Sequence, residues 1–145
     1  MRYLTFLLLL STCLLSCNRT SNQTKIQDTN VMLDKIVILP YDSSKDCFRM
    51  DKPATLNQQE LVEIEVLLQQ ALKTNPKLHP LAHYNRQYTA TINTNNEKEV
   101  WVTLLCDEGD LEWKKQPIIK HKNDQCYINV YLNLTQKRFG KIMPF

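Results

Sequence analysis

The chain has 145 residues, a formal charge of +3, 43% hydrophobic residues and only 2 glycines. That length holds one modest hydrophobic core, with residues to spare at the ends. Its 18 basic residues are scattered among 15 acidic ones, which excludes the concentrated basic face of a nucleic-acid binder. Two isolated glycines, Gly109 and Gly140, exclude the glycine-rich phosphate loops of most nucleotide enzymes.

Arg2 gives a short positive start, and Leu4 to Leu15 is apolar apart from Thr5, Ser11 and Thr12. The run suits the core of an export signal and is shorter than the roughly 20 residues of a permanent bilayer span. It ends in Leu14-Leu15-Ser16-Cys17, which resembles the lipobox of bacterial lipoproteins: Leu at −3, a small residue at −1, then cysteine. Cys13 is preceded by Leu10, Ser11 and Thr12 and lies inside the apolar run. The resemblance implies diacylglycerol on the Cys17 thiol, cleavage between Ser16 and Cys17, loss of Cys13 with the signal, and an acyl chain such as palmitate on the new amino terminus. Buried acyl methylenes contribute about 0.8 kcal/mol each, so two or more chains anchor stably. The expected organisation is a signal peptide over 1–16, a polar tether over 17–30 and a single domain over 31–145. The same resemblance implies an outer-membrane anchor, because Asn18 is not the Asp that favours inner-membrane retention of such lipoproteins, and the domain is expected by default to face the periplasm.

Within the domain, Ile36 to Leu39, closed by Pro40, predicts a short buried strand. A turn-rich loop through Cys47 follows. Asn57 as N-cap with Glu60 three residues on forms a capping-box signature, with Leu56 and Leu61 as a hydrophobic staple. Leu61, Ile64, Leu68, Ala71 and Leu72 then recur at helical spacing, widened by Val62, Val66 and Leu67. Glu60, Glu63, Glu65, Gln69 and Gln70 are expected on the wet face, and Pro76 stops the helix.

Three stretches alternate with period two. Tyr88, Ala90 and Ile92 share one face; so do Val100, Val102, Leu104 and Cys106, and so do Cys126, Ile128, Val130, Leu132 and Leu134. Pairing Val102 with Val130 sets Val100 against Leu132, Leu104 against Ile128 and Cys106 against Cys126. In the preceding hairpin, pairing Ala90 with Val102 sets Ile92 against Val100 and Tyr88 against Leu104. The expected fold is α+β: one main helix on an antiparallel sheet of three to four strands, in the order strand-helix-strand-strand-strand. This order is similar to the cystatin-like fold in topology alone, because the hairpin "NTNNEKE" lacks the inhibitors' Gln-x-Val-x-Gly motif. The chain also resembles the small uncharacterised envelope lipoproteins of Gram-negative bacteria, a likeness that transfers no residue-level activity.

Cys47, Cys106 and Cys126 remain in the exported chain, where disulfides form. The expected alternatives are a Cys106–Cys126 bridge, Cys47 paired with either of them, or free thiols. Such a bridge contributes about 3 kcal/mol in the loop-entropy model. His79 and His83 stand four apart, but Pro80 and the absence of an intervening Glu depart from the His-Glu-x-x-His pattern. Two imidazoles alone do not close a metal site, and His121 has no sequence signal placing it beside them. The acids Asp107, Glu108, Asp110 and Glu112 depart from the calcium-loop spacing. No cofactor, metal ligand set or catalytic group is assigned.

On the sheet's second face, Trp101 is set against Tyr131 and Leu105 against Tyr127, with Thr103 and Asn129 between. This is either a binding patch or a surface covered by the 107–124 excursion with Trp113, Ile118 and Ile119. The expected function is a non-catalytic, lipid-anchored binding protein of the envelope. Its candidate partners are an envelope protein, a toxin neutralised by an immunity-type lipoprotein, or peptidoglycan. The alternative is a small periplasmic hydrolase using Cys47 or a histidine.

Overall fold

The computed structural model describes residues 33–44, 51–106, 112–118 and 125–144. The lipobox with Cys17, as well as Cys47, His121 and Asp107 to Asp110, lies outside them.

The strands are β1 (Ile36–Ile38), β2 (Lys52–Pro53), β3 (Tyr84–Ile92), β4 (Lys98–Cys106), β5 (Tyr127–Asn133) and β6 (Arg138–Pro144), with one α-helix, α1 (Gln58–Lys73). They form one six-stranded sheet in the order β1-β3-β4-β5-β6, with β2 also on β3. The α+β class, with one helix against the sheet, is as expected from the sequence. The strand count is higher, and the sheet is mixed because β1 runs parallel to β3. Ile38 in β1 is exposed while Ile36 and Val37 are half-buried, so this is an edge strand rather than a buried one.

The capping box of α1 is complete: the Glu60 amide donates to Asn57 Oδ1 and the Asn57 amide to Glu60 Oε2, each at 2.9 Å. Leu61, Ile64, Leu67, Leu68, Ala71 and Leu72 bury against the inward residues of β3, β4 and β5. Glu65 is buried too, at 4% exposure. It stands at the i+4 position of the Leu61-Ile64-Leu68 stripe, so the helix geometry turns it onto the sheet. Val66, expected in the stripe, is exposed.

The β4–β5 register is Val102↔Val130, Val100↔Leu132 and Leu104↔Ile128, as the alternation predicts. The β3–β4 register differs by two residues, with Ala90↔Val100 and Tyr88↔Val102. A two-residue slip leaves every side chain on its own face, so alternation does not distinguish the two pairings. The turn decides. Asn93 N–H bonds Glu97 O at 2.9 Å and Asn96 N–H bonds Asn93 O at 3.0 Å. Asn96 takes a φ of 62°, a left-handed conformation that asparagine tolerates, and this closes the hairpin tightly after Ile92.

Strand β6 pairs Phe139 with Leu132 and Ile142 with Val130, so two residues, Gly140 and Lys141, oppose Tyr131. This bulge brings Phe139 and Ile142, three apart, onto the same core. A Cβ at Gly140 would meet Tyr131 Cδ1 at 3.2 Å, so any larger residue there requires the Tyr131 ring to give by a few tenths of an ångström.

Candidate functional site

Beyond α1, Thr74 and Asn75 amides bond the carbonyls of Ala71 and Leu72, at 3.0 and 3.1 Å. The Leu78 amide bonds Asn75 O at 3.0 Å, the Lys77 amide bonds Asn75 Oδ1 at 3.2 Å, and the His83 amide bonds Pro80 O at 2.9 Å. With Pro76 and Pro80 fixing φ, these bonds make residues 75–82 a stiff wall facing the last turn of the helix. Between them lies an open cleft of about 570 Å³, lined mainly by apolar groups including Leu72, Leu78, Leu81 and Ala82, with Gln69, Lys73, Asn75 and His79 as its polar lining. Preformed apolar concavities of this size are typical of ligand sites.

A buried ionic group holds the wall in place. Arg86 points inward between Tyr84 and Tyr88, with its Nε 3.2 Å from Glu65 Oε1. Its Nη1 donates to Leu81 O at 3.1 Å and to Tyr84 O at 3.2 Å. Tyr88 donates its hydroxyl to Glu65 through a short bond. Burial, followed by the charge and hydrogen bond of Glu65, holds the Tyr88 phenol well above its usual pKa, so it remains a donor. Helix, sheet and the Leu81 carbonyl of the cleft wall are thereby tied to one another.

Neither Glu65 nor Arg86 was a candidate site residue on sequence grounds. Their signal lay in position: each is a charged residue at an inward phase of an otherwise apolar pattern.

Cys106 and Cys126 are joined by a disulfide at the end of the β4–β5 ladder, with a Cα–Cα distance of 4.7 Å. His79 lies beside it. The His83 ring stacks on His79 with centroids 5.5 Å apart. Tyr84 links this corner: its hydroxyl accepts from the His79 amide at 3.1 Å and donates to Gln125 O at 2.8 Å.

The aromatic candidates on the second face divide. Tyr127 is buried with Leu105 and Trp113, against half-buried Val37 and Ile118, and its hydroxyl donates to Ile118 O at 2.7 Å. Gln87 Nε2 donates to Trp113 O and Gln116 O at 2.6 and 2.8 Å, and Gln87 Oε1 accepts from the Ile118 amide at 3.1 Å. Residues 112–118 therefore cover this half. Trp101 and Tyr131, paired across β4 and β5, stay half-buried. Partial burial, then the Glu99 hydrogen bond and nearby negative charges, raises the Tyr131 phenol above its usual value.

No helix among the described residues is long and apolar enough to cross a membrane. No protein-family model, curated protein or solved structure matches the chain.

Proposed function

We propose that this chain is a lipid-anchored, non-catalytic binding protein of the cell envelope, and that it takes its ligand in the cleft between α1 and residues 75–82. The observation that carries the binding reading is a mainly apolar concavity whose lining includes Lys73 and His79 and, among its described residues, no carboxylate. That chemistry fits an apolar group with an anionic end: the body displaces water from Leu72, Leu78 and Leu81, and the charge stays on the wet rim. Prior ordering of the wall reduces the entropy lost on binding. The anchor rests on the likeness of Leu14-Leu15-Ser16-Cys17 to a lipobox. A second reading uses the half-open Trp101–Tyr131 pair as a contact for a protein partner.

Titration of the full chain with anilinonaphthalene sulfonate, an apolar anion, separates the two surfaces. Saturable binding is expected, weakened roughly tenfold or more by Leu78→Asp and unchanged by Trp101→Ala with Tyr131→Ala. The opposite pattern, at an unchanged circular dichroism spectrum, moves the site to the second face. In the same chain Cys17→Ser is expected to release the protein from membranes. Retention of that variant would overturn the anchor.

A further inference from the structure

His79 stands between the cleft and the Cys106–Cys126 bridge. A ligand-capable nitrogen of His79 and the two sulfurs all lie within 4.8 Å of one another, on half-buried residues. From this juxtaposition we propose that, once the bridge is reduced, His79, Cys106 and Cys126 form a zinc site, so that the corner is closed by a disulfide in one redox state and by zinc in the other.

The two sulfurs are bonded to each other in the bridge and must move apart on reduction to take up zinc spacing, a separation that stays inside the 4.8 Å limit of the cluster. Bonds of about 2.3 Å to sulfur and about 2.0 Å to nitrogen set tetrahedral ligand atoms roughly 3.5–3.8 Å apart. Backbone contacts that do not involve the S–S bond also hold the corner. The Cys106 amide bonds Cys126 O at 3.0 Å, so the ladder holds both Cα atoms where they are. The His79 amide is fixed to Tyr84, whose hydroxyl is fixed to Gln125 O, one residue from Cys126. The backbones that carry both cysteines and His79 are thus held by hydrogen bonds other than the bridge. Two soft thiolates with an imidazole select zinc over magnesium or calcium. Three protein ligands leave the fourth position to water.

The redox step is thiol–disulfide exchange. A dithiol reductant gives two electrons and two protons to the Cys106–Cys126 bond; the bond breaks into two thiols and the reductant closes its own disulfide. Zinc then forms two Zn–S bonds and one Zn–N bond, and two thiol protons leave to solvent. Reoxidation by a disulfide-class oxidant restores the S–S bond and releases the metal.

The test compares the full chain, oxidised and after reduction by a trialkylphosphine, in competition with a chromophoric chelator for zinc, and repeats the titration with cobalt. The reduced chain is expected to bind one zinc at least roughly a hundredfold tighter than the oxidised chain, with thiolate-to-cobalt charge-transfer absorption and an unchanged circular dichroism spectrum. His79→Ala, which keeps both thiols, is expected to weaken binding roughly tenfold or more, while Cys47→Ser leaves it intact. Equal binding by the oxidised chain overturns the proposal. So does an unaffected His79→Ala, loss of binding in Cys47→Ser, or loss of the fold on reduction.

Discussion

The face of the sheet beneath α1 and the face beneath residues 112–118 belong to the same strands but are held by different forces. Under α1, Val100, Val102, Leu104, Ile128, Val130 and Leu132 are fully enclosed against the helix, and the polar exception is Glu65 with Arg86 and Tyr88. On the opposite face the centre is polar: Thr103 Oγ1 donates to Asn129 Oδ1 at 2.8 Å, and Gln87 clamps 112–118. Its apolar part is the small cluster of Leu105, Trp113 and Tyr127. Area burial therefore stabilises the first face, whereas matched hydrogen bonds position the second. Among the described residues, the cover of the second face is the clamped turn 112–118, and Trp101 and Tyr131 beside it are half-buried.

The largest expected effect lies in the ionic exception. Glu65→Ala leaves Arg86 buried, at 1% exposure, without its carboxylate, and is expected to cost about 3–5 kcal/mol in urea unfolding. Glu65→Leu combined with Arg86→Met and Tyr88→Phe removes the charges together with the hydroxyl that Glu65 accepts from, and is expected to recover most of that loss. A single-variant cost below about 1 kcal/mol would mean that burial alone sets this face. On the other face, Trp113→Ala removes the cover. Its expected cost is about 2 kcal/mol, below the ~3–5 kcal/mol of an aromatic in a dense core, because the cluster is small. Near-ultraviolet circular dichroism would report the change while the far-ultraviolet signal of α1 stays constant. A cost matching that of Glu65→Ala would erase the distinction between the faces.

The helix, its cap and the β4–β5 register were legible because each has a local rule: Asn57 with Glu60, the i, i+3, i+4 stripe, and alternation on both strands. The β3–β4 register was not, since a two-residue slip preserves the faces and the Asn93–Glu97 turn decides it. Strand β6 was hidden by its bulge, which turns a three-residue spacing, Phe139 to Ile142, into one face. The two-residue β2 carries no period at all. Glu65 departs from the wet face expected of it, because its position in the stripe outweighs its charge once Arg86 and Tyr88 pair with it. The cleft leaves no motif, because its shape arises where a helix end meets a proline-stiffened connection far from any repeat.

The smallest expected effect concerns the rim joining helix and sheet, where Lys98 Nζ lies 2.6 Å from Glu60 Oε1. Burial raises the Glu60 carboxyl, but the Lys98 hydrogen bond, the Asn57 amide and the Lys98 charge outweigh it and hold the group below its ordinary value of 4.5. A lowered folded-state value gives stability that is complete above the ordinary value and is lost as pH falls through the lower one. Lys98→Met is expected to cost under about 1 kcal/mol at neutral pH. Lys98 also donates to Thr55 O at 3.1 Å, a bond that does not titrate in this range, so the variant's cost has a constant part and a part carried by Glu60. Only the second part should shrink in acid, and it should shrink in high salt as well. Unfolding free energies of both proteins, measured from neutral pH down through 4.5, separate the two. A gap that narrows with acid assigns the contribution to the ion pair. A flat gap leaves Glu60 to the capping box alone.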